Sequence, residues 1–410
     1  MLFRLASLWL LAASAVVALP AASNAPLAVS TIPDGPLTTS DRWIVDSNGK
    51  RVKLRCVNWA GHMETNIPEG LQHQPVDAIT SWIAKNNFNC VRLTYSIDMA
   101  LNPDLAVSDS FPAAAVAANV DADQLHGLYQ QAVQNNPWLS SSTVLETFEK
   151  VIQSLDSKGV KVILDNHVSK AMWCCALNDG NGWFDTDGST TDIDSKYFDI
   201  PNWVNGLKAM ATFSATQPNV IAMSLRNELR PLSYDTDDWY TNVEKGAQAI
   251  HSANDKLLIV IGGLNYATDM SYLGKNPLDR SAFPNRVVWE FHWYKTSYPI
   301  GDCNFVKGVI GGQTGYLLTS GQSYTGPLWM SEFGTDVGSP DTDWISCVVD
   351  YLTGNDADWA VWALQGSYYI RQGNIAAEET WGLLNANWSD WRNPSFPGLL
   401  GGMWDQTQGP

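Results

Sequence analysis

Residues 220–231 read Val-Ile-Ala-Met-Ser-Leu-Arg-Asn-Glu-Leu-Arg-Pro, and this stretch limits most narrowly what the chain can fold into. The unbroken apolar run 220–225 is the signature of a strand covered on both faces, as parallel sheets are. It stops abruptly at Arg226, Asn227 and Glu228, and Pro231 prevents regular continuation. A doubly buried strand that delivers a carboxylate at its C-terminal tip suits a parallel α/β barrel, where such tips surround the active site. A strand that merely meets solvent at its end is the plainer alternative, so the rest of the chain must decide.

Further short apolar runs alternate with helical periodicity. Strands are expected at 54–59, 88–95, 160–166, 220–226, 257–262, 287–292, 327–332 and 359–364. Helices are expected at 75–86, 143–157, 202–215, 237–252 and 342–353, the second ended by Lys158 and Gly159. Eight strands with helical connections spell an α/β fold, a single (β/α)8 TIM barrel. Asn48-Gly49 predicts the turn of an N-terminal β-hairpin over 43–54. The stretch 96–142 is Ala-rich with Pro and Asn breaks. It is expected to be a long insertion with a helix near 121–135.

The first 19 residues are apolar apart from Arg4, Ser7 and Ser14, and are followed by the small residues Ala21 and Ala22. This predicts a signal peptide over 1–22, cleaved between Ala18 and Ala25, with a catalytic barrel domain over 23–410. No later run is long enough to span a bilayer, so a secreted, extracellular protein without a membrane partner is expected. A net charge of −17 argues against a nucleic-acid partner bound through a basic face. A monomer is expected. The 19 tryptophans fit a carbohydrate cleft, where flat indoles stack on the apolar faces of sugar rings.

Export permits disulfides. Of the six cysteines, Cys303 and Cys347 are expected to pair. Cys56 and Cys90, in apparent buried strands, read more safely as unreactive core thiols. Cys174 and Cys175 are adjacent and are not both expected to be free. No Cys and His spacing suggests zinc, and neither metal nor cofactor is expected.

The strand at 287–292 runs on through Trp293 and Tyr294. Alternation sends Trp289, Phe291 and Trp293 toward the outer helices, and Glu290, His292 and Tyr294 toward the barrel axis. Such a polar column needs internal partners or a substrate. The strand at 327–332 ends, like that at 220–226, in a single carboxylate, Glu332. Strands four and seven face each other across a barrel mouth, and two facing carboxylates are the minimal kit for cleaving a glycosidic bond. On strand eight, Trp359 and Trp362 have opposite parity, so only one faces the axis. Trp362, nearer the C-terminal end, is taken as the sugar platform, with the reverse assignment open.

The Asn-Glu pair closing strand four, His-x-Tyr on strand six and Ser-Glu-Phe-Gly closing strand seven resemble glycoside hydrolase family 5. Arg92, His167 and the strand-eight Trp add to the likeness, which spans about 43–390. The stretches 165–167, 173–175, 179–182, 224–230 and 364–369 resemble a cellulase-like subgroup of plants and fungi. The resemblance implies a retaining hydrolase acting on a β-glucan or cellulose-like polysaccharide or oligosaccharide. Glu228 would be the general acid/base, its pKa raised toward ~6–7, and Glu332 the nucleophile. It also implies that Tyr294 and Arg92 bond Glu332, that Asn227 bonds the sugar 2-hydroxyl, and that His167 and His292 line the reacting subsite. The carboxyl groups would lie ~5–5.5 Å apart. A barrel that binds glycans without cleaving them, a transglycosylase and an exo-acting β-glycosidase remain alternatives at this point.

Overall fold

A computed structural model describes residues 32–184, 193–298 and 301–410. The expected signal peptide and part of the loop following the third strand lie outside these residues. Eight parallel strands close into a barrel: β1 (Arg55–Trp59), β2 (Cys90–Ser96), β3 (Lys161–Val168), β4 (Val220–Ser224), β5 (Leu258–Gly262), β6 (Val287–His292), β7 (Leu328–Phe333) and β8 (Asp358–Val361). The TIM-barrel reading therefore holds. Each strand starts and stops within a few residues of its expected limits, because runs buried on both faces carry a continuous apolar signal.

The barrel interior is layered. Its lower half is apolar, with Ile163, Ile221, Leu258, Val260 and Trp329 in one cluster, closed from below by Leu37, Ile44 and Leu54. Its upper half is polar: Asn58, Arg92, Asp165, Ser224 and Glu290 are all buried. Outward side chains, Trp289, Phe291 and Trp359 among them, pack against the helices in the larger cluster. Those helices present matching faces; Val144–Asp156, for instance, buries Phe148, Val151, Ile152 and Leu155. A capping box starts it, with Thr143 and Glu146 bonded reciprocally at 3.2 and 2.8 Å.

Three expectations need correction. Cys56 and Cys90 are joined in a disulfide. They are directly paired neighbours in the β1–β2 register, with Cα atoms 4.4 Å apart, and both point inward. Strands read one at a time do not reveal that adjacency. Cys303–Cys347 pairs as expected, tying Cys303–Gln313 to Thr342–Asn355, and Cys174 and Cys175 are joined to each other. Second, Trp43–Val45 pairs mainly with Thr38–Ser40. The turn with Gly49 at φ +75° does form, but its return arm contributes a single bridge, Val45 to Arg51. Third, the insertion carries not only Ala122–Asn135 but two additional α-helices, the short Ile97–Leu101 and the longer Val107–Ala118. Pro112 within it hides the pattern, since proline removes a helical donor; burial of Phe111, Ala114 and Ala115 offsets that loss.

Candidate active site

The polar layer converges on the C-terminal mouth of the barrel. After β4 the chain is clamped from several sides. Arg226 donates to Asn166 Oδ1 at 3.1 Å and to the Asn181 carbonyl at 2.6 Å, and the Asn227 amide donates to the Asn166 carbonyl at 2.9 Å. Arg230 donates to the Glu228 carbonyl at 2.8 Å while holding Asp179 through both its oxygens at 2.7 Å. Glu228 itself sits at φ +44°, a left-handed conformation costly for a side chain with a Cβ. Strain of this kind, over-determined by its surroundings, is typical of positions where geometry matters more than stability.

Glu332, next to last in β7, is in register with His292 of β6. Its Oε1 accepts from Arg92 at 2.7 Å and its Oε2 from the Tyr294 hydroxyl at 2.8 Å. His292 stands between the two glutamates. Its Nδ1 is 2.8 Å from Glu228 Oε1 and 3.6 Å from Glu332 Oε2. One oxygen of each carboxylate and a ring nitrogen of His292 all lie within 4.8 Å of one another. Two glutamates far apart in sequence are thus brought together.

Arg92 underlies the site. With no solvent exposure, it reaches Asn58 Oδ1 at 3.1 Å, Asn227 Oδ1 at 2.9 Å and Asp165 at 2.9 Å as well as Glu332. Asp165 in turn contacts His167 Nδ1 at 2.6 Å, and His167 Nε2 lies 3.3 Å from Asn227 Nδ2. The His167 ring is near-parallel to Trp362, with centroids 5.5 Å apart. Removal from water dominates the electrostatics. Burial pushes the Glu228 carboxyl up to about 7, with Arg230 and Arg92 opposing. Burial also raises Glu332, against His292 and Arg92, and lowers His292, favouring the neutral imidazole.

A cavity of about 740 Å³ opens above these groups. Glu228, Glu332, Asn227, His167, Tyr294 and Trp362 line it. Arg92 and His292, expected to touch substrate, are buried behind that surface. Alternation correctly sends His292 inward, but it carries no information on depth along the axis, and both side chains are consumed by neighbouring carboxylates. Trp362 takes the cleft and Trp359 the core, where it packs on Phe88, Phe333 and Trp404. Glu290 is not at the cavity; it accepts from Ser224 at 2.8 Å inside the barrel.

A family model described as cellulase, glycosyl hydrolase family 5, matches residues 45–367. The chain belongs to glycosyl hydrolase family 5. A relative from Chamaecyparis obtusa, itself described as a glycosyl hydrolase 5 family protein, is 40% identical over 388 residues, covering 92% of this chain and 67% of the relative. Among solved structures, the catalytic domain of the major endoglucanase of Xanthomonas campestris pv. campestris superposes with a TM-score of 0.67 at 21% identity, covering 90% of this chain and 99% of that one. The endocellulase of Pyrococcus horikoshii in complex with cellotetraose gives 0.69 at 18% identity, covering 91% and 100%. At such identities these two likenesses show the fold alone.

As a family 5 member the chain is a glycosidase that hydrolyses O-glycosyl bonds. The cavity of this family 5 hydrolase also holds residues that strand patterns could not single out. Trp173 with the Cys174–Cys175 disulfide, Tyr266, Arg371, Glu379 and Trp381 all border it. They come from the loops after β3, β5 and β8, which have no periodicity to reveal their direction. The only signal was the clustering of Trp173, Cys174 and Cys175. His167, Cys174 and Cys175 bring three metal-ligating atoms within 4.8 Å of one another, but both sulfurs are spent in a disulfide.

Proposed function

We propose that this chain is a secreted, retaining β-glycosidase acting on β-linked glucans by double displacement. The observation that carries the reading is the approach of Glu228 and Glu332, whose carboxylate oxygens come within 4.8 Å across a cavity mouth. So close an approach of single oxygens favours the retaining arrangement, with groups ~5–5.5 Å apart, over the inverting one at ~6.5–9.5 Å, which leaves room for a water. The family model matching residues 45–367, described as cellulase, supports a β-glucan as substrate. The three disulfides support an oxidising destination, and the leader-like residues 1–22 support export. The protein acts as a monomer in this reading.

In the first step Glu228, protonated because its pKa is raised, gives its proton to the glycosidic oxygen while Glu332 attacks the anomeric carbon. The C–O bond to the leaving sugar breaks and a glycosyl ester forms on Glu332. That ester removes the Glu332 charge, so the Glu228 carboxylate left behind can take a proton from water. The water oxygen attacks the same carbon and releases Glu332. Arg92 and Tyr294 donate to Glu332 and fix its direction. Asn227, its oxygen held by Arg92, presents its amide to the 2-hydroxyl, and Trp362 supports the ring. Glu332→Ala should abolish turnover of an aryl β-glucoside, and added azide, attacking from the face the carboxylate vacates, should restore activity with an α-glycosyl azide as product. Full activity of that variant without azide would overturn the assignment.

A further inference from the structure

The loops after β8 and β3 meet over the barrel mouth. The Arg371 guanidinium lies 4.0 Å above the Trp173 ring, and Trp173 packs edge-on against Tyr368 at 5.7 Å. Around the barrel β8 and β3 are separated by β1 and β2, so this contact spans the sector above those two strands. The sector is filled. Ala60 and Met63, just past β1, join Tyr368 in a buried cluster, with Trp173 packed against it. The 96–142 insertion buttresses it from behind: Phe111 sits edge-on to Tyr369 at 5.0 Å, and Ser110 donates to the Thr65 carbonyl at 2.5 Å. Across the mouth the cavity edge is different. There it is bordered by Asn265 and Thr296, both exposed, and by half-buried Tyr266 and Ser297.

The chemistry tells the two sides apart. A leaving sugar departs on the side of its proton donor. Among the described residues this edge is the open one, and it adjoins that donor, since the Tyr266 amide donates to the Leu229 carbonyl, one residue past Glu228, at 3.1 Å. The closed side adjoins the ring platform, since Trp362 leads into the segment that carries Tyr368 and Arg371. The wall also stands close to the reacting ring. Trp173 directly precedes Cys174, whose Sγ is 3.8 Å from Asn227 Nδ2.

The wall is built to bind as well as to block. Arg371 pairs with Glu379 at 3.2 Å, and Glu379 also accepts from the Tyr368 hydroxyl at 2.8 Å. Glu379 is only 1% exposed, yet it borders the cavity. The Arg371 Nε is buried without a protein partner. A fixed carboxylate beside a spare guanidinium N–H offers an acceptor and a donor to the hydroxyls that crowd the free end of a sugar chain.

We propose that the cleft is blind on the glycone side, ended by the Arg371–Glu379 pair against Trp173, and that the enzyme removes a mono- or disaccharide from the non-reducing end of β-linked gluco-oligosaccharides. This rests on the glycosidase reading above and names the substrate end on which that site acts.

The test is the time course of products from β-1,4- and β-1,3-linked gluco-oligosaccharides carrying a fluorophore at the reducing end, with an aryl β-glucoside as a parallel substrate. The expected first products are an unlabelled mono- or disaccharide and a labelled chain shortened by that unit. O-methylation of the terminal non-reducing sugar should slow turnover at least ~10-fold, and Trp173→Ala or Arg371→Ala should recover part of that loss. The wild-type profile decides even if these variants do not fold. Labelled short fragments appearing first, or equal turnover of the methylated chain, overturn the blind end while leaving the glycosidase reading intact. No turnover of any oligosaccharide or of the aryl glucoside overturns both.

Discussion

Arg92 places its Nη1 2.7 Å from Oε1 of Glu332 while being wholly removed from solvent. The pair is the point where barrel interior and cleft chemistry join. The same guanidinium also faces Asp165 at 2.9 Å and Glu290 at 3.7 Å, so one cation offsets three buried carboxyls. Arg92→Ala should therefore cost about 3–5 kcal/mol of stability, because it leaves charges buried and unpaired. Arg92→Lys should keep the fold but lower kcat more than it raises KM, since a point charge cannot serve Glu332 and Asn227 together. Urea melts and steady-state kinetics with an aryl β-glucoside check both.

The pH profile should report Glu228. Its carboxyl is raised to about 7, with burial the largest cause, and the proposed first step needs it protonated. The kcat/KM should fall as pH rises through about 7, and Glu228→Gln should abolish that limb on an aryl glucoside with a good leaving group. Stability follows with a defined sign. Unfolded, the group ionises near its ordinary 4.5; folded, it keeps its proton to about 7. Between those values the folded chain binds more protons, so rising pH erodes stability. Glu228→Gln should raise Tm at pH 8 relative to wild type and change it little at pH 4.

The Cys56–Cys90 disulfide closes a 34-residue separation inside the lower barrel, away from the cleft. Replacing both cysteines with alanine should lower stability by about 2–4 kcal/mol, chiefly by freeing the unfolded chain. The kcat at 25 °C should change less than twofold. Denaturant melts and aryl glucoside kinetics separate the two effects.

Trp359 and Trp362 make a matched pair of tests. Trp359 is fully buried among Phe88, Phe333 and Trp404, so Trp359→Ala should destabilise by about 3–5 kcal/mol. Trp362 lines the cavity, so Trp362→Ala should act on kcat/KM and cost less than half as much in folding. Comparable Tm losses for the two would contradict the division of roles.

The barrel was legible because its strands are buried on both faces, so runs such as 220–224 and 287–292 announce themselves without context. The two glutamates were legible for the same reason, each being the first carboxylate after such a run. Residue direction on β6 also followed from alternation alone, with Glu290 and His292 inward and Trp289 and Phe291 outward. These are properties of a single strand, and one sequence contains them.

What sequence could not supply are relations between strands and loops. The Cys56–Cys90 bond depends on register across two strands. The depth of Arg92 and His292, behind the cavity surface instead of on it, depends on how far each strand rises along the barrel axis. The meeting of Trp173 with Arg371 joins loops nearly two hundred residues apart that have no repeating pattern. Local periodicity encodes which face of an element is buried; only the closed barrel decides which buried groups meet, and at what height, because that is fixed by packing between elements and not within them.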